Sequence, residues 1–472
     1  MDHSTAHQTA FKTQRSGEAA SGLSAARVRA EVGPLWSVAW PVVVAELGWM
    51  GMVLVDTMLV GRVSPEALGG VAIGGAVFFG TAIFGMGLLL GLDFMVAHAF
   101  GAGERREMHI SLVQGLYASV ILAFVLTFVI RGILPWLPTF GVRSEVAAEA
   151  IAYGKPLTWS LLPLFVFSAL RRYLQATNRV MPIMLALLTA NVMNAVIAWV
   201  LIFGHFGFAA LGARGAAWAT VASRVYLVFF LVGYIWSCER RESTGILATP
   251  LRLDLERMRK LVRLGLPAAL QLTLEVGVFV TATTIIGTLE PVWLAAHRIA
   301  LDAASFTFMI PLGISSAAAV RVGQAIGRRD PVGARAAGWA AIVLGAVVMT
   351  LAGMIFVLLP GAIMRVFTND AATIAAGVGL LGIAAIFQLF DGVQVVSTGA
   401  LRGVGNTRTP MLTNLVGHWV VGLPLGWYLA FHAGAGVIGV WIGLCTGLVI
   451  VAIVLLTVWA RASRSADLFT KH

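Results

Sequence analysis

Long apolar runs recur along almost the whole chain. A membrane-spanning helix requires about 20 mostly apolar residues, because a rise of about 1.5 Å per residue must cross about 30 Å of hydrocarbon. Twelve runs meet this length, and their predicted bounds are 35–61, 67–100, 110–134, 146–174, 181–204, 210–238, 260–288, 292–324, 336–360, 373–402, 410–432 and 436–460. The runs are continuous and do not alternate with period two, which favours helices over barrel strands. The sequence therefore predicts an all-α polytopic membrane protein with about twelve transmembrane helices.

Landmarks of the first half of the chain recur in the second half, 226 or 228 residues later. The repeated pairs are Pro41 and Pro267, Gly101 and Gly327, Asn178 and Asn406, and Pro182 and Pro410. Each half holds six predicted spans, an even number, so both halves enter the membrane from the same side and the repeat is parallel. Two six-helix lobes that face each other enclose a central cleft. One lobe can rock against the other and expose this cleft to each side of the membrane in turn, so the architecture favours a transporter.

These spans divide the chain into a polar tail (1–34), an N-terminal lobe (35–238), a charged linker (239–259), a C-terminal lobe (260–460) and a second tail (461–472). Only 12% of the residues are charged, about half the share of a soluble domain. With both termini on one side, about 25 of the 33 Lys and Arg residues fall on that side. This asymmetry predicts cytoplasmic termini, and it explains the net charge of +11 without a nucleic-acid partner.

Five acidic residues lie well inside predicted spans, where a charge costs at least about 2.5–3.5 kcal/mol and therefore needs a partner or a water-filled cavity. They are Glu46 and Asp56 in span 1, Asp93 in span 2, Glu275 in span 7 and Asp391 in span 10. Arg224 in span 6 is the main basic residue at such depth, and we expect it to have a structural role.

Glu275 and Asp391 both lie near mid-span in the C-terminal half. Two carboxylates that share a low-dielectric cavity repel each other, so such a pair could carry a proton, and its hard oxygen atoms could equally bind Na⁺. At the repeat offset Glu275 corresponds to Trp49 and Asp56 to Ala282, so the carboxylates do not belong to the duplicated scaffold. The alternative is that each is a buried polar group bonded to a neighbour. Glu46 and Asp93 are weaker candidates for coupling.

Asparagines surround the connection between spans 4 and 5. Asn191 and Asn194 are three residues apart and so share a helix face, which could form a polar site with Asp56 and Asn178. Hydrogen bonding between helices is an equally good explanation. His98, His297, His418 and His432 have no paired spacing, so they predict no metal site. Cys238 and Cys445 are expected to be free thiols, and no glycine-rich loop ends in the GK[ST] of an ATP-binding loop.

Several sequence motifs have a recognisable pattern. The run VDTMLVGRVSPEALGGVAIG resembles the first-span signature of multidrug and toxic compound extrusion (MATE) transporters. The runs LGLPAALQLTLEVGVF, AAHRIALDAASFTFMIPLGISSAAAVRVGQAIG and FDGVQVVSTGALRGVGNTRTP resemble the bacterial NorM-type branch of that family, and the resemblance covers about residues 35–460.

This resemblance implies a V-shaped pair of lobes in a bacterial inner membrane and antiport of cationic drugs against Na⁺ or H⁺, without a cofactor. Asp56 matches the N-lobe carboxylate that binds protons or cationic substrate, and Glu275 and Asp391 match the C-lobe pair that binds the coupling cation. Gln388 joins the candidate polar network. His98 stands where the family often has glutamine, and Phe387 and Gln388 stand where a tyrosine is expected.

We expect a monomer. The main alternative is a flippase of lipid-linked precursors with the same architecture, which would require cations at mid-span. A membrane enzyme or a channel is disfavoured, because no catalytic constellation or filter-like motif stands out.

Overall fold

The computed structural model describes residues 24–464, which fold into twelve helical spans. In the N-terminal lobe these are α1 (Ala25–Val60), α2 (Pro65–Gly101), α3 (Arg105–Phe140), α4 (Ser144–Ala176), α5 (Met181–Phe203) and α6 (Ala213–Glu242). In the C-terminal lobe they are α7 (Leu255–Gly287), α8 (Pro291–Gly327), α9 (Pro331–Leu358), α10 (Ala371–Gly403), α11 (Arg408–Asn414, Leu415–Gly422 and Leu423–Phe431) and α12 (Gly436–Ala462). A short helix, Pro360–Phe367, precedes α10. The predicted all-helical membrane fold is confirmed.

The predicted segment boundaries differ from the helix ends mainly at the tails and the linker. α1 begins at Ala25, so the last part of the predicted tail 1–34 is helical, and residues 1–23 lie outside the described chain. The predicted linker 239–259 loses both its ends to helices, because α6 continues to Glu242 and α7 begins at Leu255. At the C-terminus α12 ends at Ala462, and residues 465–472 of the predicted tail 461–472 are likewise not described.

Side-chain caps fix several helix starts. The hydroxyl of Ser64 accepts a hydrogen bond from the backbone N–H of Ala67, and Pro65 fills the first helical position of α2. Asp254 caps α7 in the same way, and the backbone N–H of Arg257 that donates to its carboxylate lowers the pKa of Asp254. These polar caps mark the membrane ends of helices whose interiors are apolar.

α11 departs from regular α-helical geometry in its central turns, although its bounds, Arg408–Phe431, lie close to the predicted 410–432. Eleven other helices are long and apolar enough to cross a membrane, whereas α11 has a π-helical centre, Leu415–Gly422. Pro424 follows this segment and lacks the N–H that would bond the preceding turn. A proline ring also crowds the carbonyl four residues earlier, so the helix widens locally and then continues.

The apolar core shows where the lobes meet. One cluster combines the start of α1, including Leu35, Val38 and Val42, with the later halves of α8 and α10. A different cluster fills the other half of the C-terminal lobe, and the described residues of that cluster all come from this lobe. The two lobes therefore pack together at one end, where α1 and α7 begin and α2 and α8 end. We call it the basic end because most Lys and Arg residues lie there.

Repeat-related glycines make the contact between the lobes. A Cβ on Gly87 of α2 would lie 2.5 Å from the Cα of Ala269 in α7, and a Cβ on Gly313 of α8 would lie 2.9 Å from the backbone N of Val43 in α1. Gly87 and Gly313 are 226 residues apart, and so are their partners Val43 and Ala269. The two contacts are therefore related by the internal repeat. The lobes are thus related by an axis along the bundle, as a parallel repeat requires.

The same symmetry continues to the tip of the basic end. Gly101 packs on the backbone of Gln324, and Gly327 packs on the carbonyl of His98. Residues 98 and 324 are again 226 apart. Only glycine permits backbones to approach this closely, so the repeated glycines close the lobes against each other.

We expect Gly87→Ala to destabilise the protein and Gly80→Ala to leave it unchanged or slightly more stable. Both glycines lie inside α2, so alanine improves the helix propensity of each equally, but nothing lies within 4 Å of a Cβ at Gly80. Overpacking at Gly87 should cost about 1–3 kcal/mol. Thermal unfolding in detergent measures this difference, and equal midpoints for the two variants would contradict the contact.

Candidate functional site

Asp56 is a buried carboxylate of the N-terminal lobe that accepts a hydrogen bond from a single donor. Asp56 of α1 is 6% exposed, and its Oδ2 accepts a hydrogen bond of 3.1 Å from the hydroxyl of Thr220 in α6. Its Oδ1 is buried without a hydrogen-bond partner among the described residues. A buried carboxylate oxygen without a partner costs free energy, so this position suits a proton or a bound cation.

Arg224 lies one turn after Thr220 on α6 and interacts electrostatically with Asp56. Its guanidinium is 4.8 Å from the ring centroid of Phe78 and 5.5 Å from that of Trp49, and it donates to the hydroxyl of Ser160. Aromatic faces stabilise a partly desolvated cation. Arg224 is therefore held by aromatic rings and a hydroxyl, and it also contributes positive charge near Asp56.

Asn191 of α5 faces α1. A Cβ at Gly48 would be 3.4 Å from Asn191 Nδ2, and one at Gly51 would be 3.6 Å from Asn191 Oδ1. Because α1 and α5 run in the same direction, Asn194 lies about one turn nearer to the level of Asp56 than Asn191 does. Asn194 is 1% exposed, and neither of its amide atoms has a hydrogen-bond partner among the described residues. A polar face thus lies beside α1 near Asp56.

The C-terminal lobe brings Glu275 and Asp391 together. Asp391 of α10 interacts electrostatically with Glu275 of α7, although 116 residues separate them in the chain. Gln271 lies one turn before Glu275, and Gln394 lies near one turn after Asp391; both flank the Glu275 carboxylate. The sequence analysis identified the two acids but missed both glutamines. Their position one helical turn from an intramembrane acid was the available signal.

Further polar atoms of α10 are buried without partners. Gln388 is fully buried, and its amide N–H₂ donates to the hydroxyl of Thr307 in α8 while its Oε1 accepts no hydrogen bond from a described residue. The hydroxyl of Ser397 also has no hydrogen-bond partner among the described residues, and the amide of Gln394 makes no hydrogen bond of good geometry although it flanks the Glu275 carboxylate. Buried polar groups of a protein are almost always satisfied, so this side of α10 is suited to water or a bound ion.

An aromatic and histidine cluster lies on the same lobe. The indole N–H of Trp441 donates to Nδ1 of buried His297 at 3.1 Å, so Nε2 carries the proton and donates to Thr283 at 2.9 Å. Phe387 packs edge-to-face on Trp441 and Phe279. His297 is thus satisfied as a neutral, structural group. Within residues 24–464 no group of three or more His, Cys, Asp or Glu could hold a metal ion.

Glu46 and Asp93 are engaged in ion pairs. Glu46 of α1 pairs with Arg171 of α4 within the N-terminal lobe. Asp93 of α2 is 1% exposed and lies 3.5 Å from Arg172 of α4 and 3.1 Å from Arg402 of α10. Since Arg402 belongs to the other lobe, Asp93 joins the lobes at the basic end. Neither acid lies beside the carboxylates described above.

A second ion pair and one amide also cross between the lobes. Glu31 of α1 lies 2.6 Å from Arg321 of α8. Asn178 accepts a hydrogen bond of 3.0 Å from the amide of Gln324, and its left-handed backbone (φ 60°) turns the chain from α4 into α5. The expected grouping of Asn178 with Asn191 and Asn194 is therefore not what the structure shows. Asn178 belongs to the lobe contact.

Comparison with known proteins adds to this geometry. The MatE family model matches residues 41–200 and 267–428, one match in each lobe. The two matches begin 226 residues apart, which is the offset of the glycine contacts. The chain belongs to the MatE family. The two-lobe MatE fold explains why the family signature is present twice.

Similar MatE relatives span nearly the whole chain. A probable multidrug resistance protein NorM of Mesorhizobium japonicum is 36% identical over 93% of this chain and 95% of its own length. The corresponding protein of Rhodopseudomonas palustris is 39% identical over 92% of both. Among solved structures, a eukaryotic MATE transporter, AtDTX14, superposes with a TM-score of 0.85 at 22% identity, covering 94% of this chain and 99% of that one. This last likeness concerns the fold.

We expect Asp93→Asn to weaken the protein strongly, because it leaves Arg172 and Arg402 buried without their shared carboxylate. Breaking a buried ion pair typically costs about 3–5 kcal/mol. Asp302→Asn is the control, since its pair with Arg298 is exposed and should be worth less than about 1 kcal/mol. Chemical unfolding in mixed micelles compares the two variants, and similar losses would show that Asp93 does not join the lobes.

Proposed function

We propose that this MatE protein is a secondary active multidrug efflux antiporter that exports cationic or lipophilic compounds in exchange for Na⁺ or H⁺. The observation that carries the proposal is the pairing of Glu275 with Asp391 inside the C-terminal lobe, amid buried polar atoms that lack partners. The proposed setting is a bacterial inner membrane with both termini in the cytoplasm, as the excess of Lys and Arg at the basic end favours.

Electrostatics supports coupling at Glu275 and Asp391. Two adjacent carboxylates in a low-dielectric site cannot both stay charged without a cation nearby, so the pair binds a proton or a metal cation whenever it is enclosed. Gln271 and Gln394 supply side-chain oxygens that could complete a Na⁺ shell, or amide N–H groups that hold the carboxylates in place. Release of the cation leaves mutual repulsion, which favours a more open and hydrated site.

Asp56 supports a second, separate role in the N-terminal lobe. Its free oxygen and the polar face of Asn194 offer acceptors to a cationic substrate or a proton. Arg224 nearby makes two positive charges at this site unfavourable. Substrate and proton would therefore compete for Asp56, and competition for one carboxylate is a simple way to link export to ion entry.

Alternating access requires the contact at the basic end to open. In the structure the repeated glycines and the pairs Asp93–Arg402 and Glu31–Arg321 hold that end closed. The opposite half of the C-terminal lobe has its own apolar core, which permits it to separate from the other lobe. With cytoplasmic termini, this arrangement corresponds to an outward-facing state. The relatives named NorM support multidrug efflux as the purpose of the cycle.

A lipid-linked precursor flippase remains the second candidate from the sequence. Its pyrophosphate cargo would need several cations at mid-span. The described mid-span charges are mainly acidic, and Arg224 is stacked between aromatic rings. This distribution favours cationic cargo.

We expect Glu275→Gln and Asp391→Asn each to abolish export of a cation such as ethidium. Each substitution keeps the shape of the side chain but removes the charge that binds the coupling cation. Fluorescence efflux from cells measures export, and surface-corrected protein amounts confirm insertion. Asp302→Asn, which alters an exposed acid of the same lobe, should export normally. Full export by both site variants would remove the pair from the mechanism.

For Asp56→Asn we expect loss of substrate or proton coupling without loss of folding. Proteoliposomes with separately imposed Na⁺ and H⁺ gradients measure substrate movement for the parent protein and the variant. The gradient that drives the parent identifies the coupling ion, and the same gradient should fail to drive the variant. If neither gradient moves substrate in the parent, the antiporter proposal is wrong.

A further inference from the structure

A cavity of about 1160 Å³ lies between the lobes at the basic end. Its lining does not include the candidate coupling residues Asp56, Glu275 and Asp391. The N-terminal lobe contributes the end of α2 and the start of α3, including Phe94 and Glu107, and the C-terminal lobe contributes the start of α7 and the turn between α10 and α11. The function proposed above assigns no task to this space.

Cations dominate the charged lining of the cavity. Arg257 is occupied by Glu107 and Asp254. The other cations in the lining are Arg259, Lys260, Arg263 and Arg408, and none of these four forms an ion pair with another residue of the described range 24–464. Glu104 and Glu256 also line the cavity, so the four cations outnumber the carboxylates that are not engaged with Arg257. This surplus repels a cationic drug and attracts an anion.

The linker beside the cavity indicates its depth in the membrane. Leu247, Leu251 and Leu255 are each at least 70% exposed. The linker is nevertheless held firmly on α3, because fully buried Gln114 donates to the carbonyl of Arg252 and accepts from the backbone N–H of Asp254. A fixed segment that displays leucines beside arginines matches the membrane–water interface, where acyl chains and phosphate groups meet.

We propose that this cavity binds the phosphate-bearing headgroup of an anionic membrane lipid. Arg259, Lys260, Arg263 and Arg408 would hold the phosphate, and the exposed leucines of the linker would lie against the acyl chains. The Lys260 ammonium is 5.7 Å from the ring centroid of Phe94, which keeps this cation beside the opposite lobe. All four cations belong to the C-terminal lobe and face the wall that the N-terminal lobe contributes, so a headgroup bound here would lie between the lobes and stabilise the state in which the basic end is closed.

Lipid binding to the purified full-length protein tests this proposal. Native mass spectrometry in neutral detergent measures the binding of phosphatidylglycerol, phosphatidylcholine and soluble glycerol phosphate. The parent should bind phosphatidylglycerol in preference to the other two. The triple variant Lys260→Gln/Arg263→Gln/Arg408→Gln should bind it roughly 100-fold more weakly, because each of the three cations near an anionic lipid contributes about a factor of five.

Arg328→Gln/Arg329→Gln is the matched control, since it removes two cations at the same end but outside the cavity, and it should bind phosphatidylglycerol like the parent. The single reversal Lys260→Glu, whose side chain is exposed, tests the site if the triple variant does not fold. Equal binding of both lipids by the parent, or undiminished phosphatidylglycerol binding by the folded variants, would overturn the proposal. Soluble glycerol phosphate bound as tightly as the lipid would overturn it also, by showing a site for free phosphate.

Discussion

The close approach of two pairs of helix backbones, at Gly87 against Ala269 and at Gly313 against Val43, positions nearly everything else in this protein. No side chain separates the helices there, so the lobes have one well-defined docked arrangement. The contact is duplicated by the repeat and lies in the basic half of the bundle, and the ion pairs of Asp93 and Glu31 surround it. Such a contact is made or broken as a unit, which is the property that a rocking mechanism requires.

The buried carboxylates do not follow the symmetry of the repeat. Where the C-terminal lobe has Glu275 the N-terminal lobe has Trp49, whose ring lies beside Arg224, and where the N-terminal lobe has Asp56 the C-terminal lobe has Ala282. One lobe therefore holds a pair of carboxylates and the other a single carboxylate near a cation. Under the proposed function, a cation at Glu275 and Asp391 and a substrate at Asp56 would influence each other through the lobe contact, because the two sites lie in different lobes.

Most of the fold could be predicted from residue patterns. The apolar runs indicate which segments lie in lipid, and the repeated landmarks indicate that the chain consists of two related halves. The spans, the parallel repeat and the intramembrane acids were visible in this way. The π-helical centre of α11 and the helical start of α1 were not, because they depend on Pro424 and on the cap at Ser24. The partners of the acids were equally hidden. Nothing local indicates that Asp93 meets Arg402 or that Asn178 meets Gln324, because those contacts arise only when the lobes dock.

We propose that the cation state of Glu275 and Asp391 controls the lobe contact at the basic end. Spin labels on Ala102→Cys and Arg328→Cys, in a background without Cys238 and Cys445, report the distance across that contact, because these exposed positions are repeat-related. In lipid, we predict that changing pH or Na⁺ shifts the distance distribution, and that Glu275→Gln combined with Asp391→Asn abolishes the shift while Asp302→Asn preserves it. A distribution that responds identically in the parent and the double variant would contradict the account.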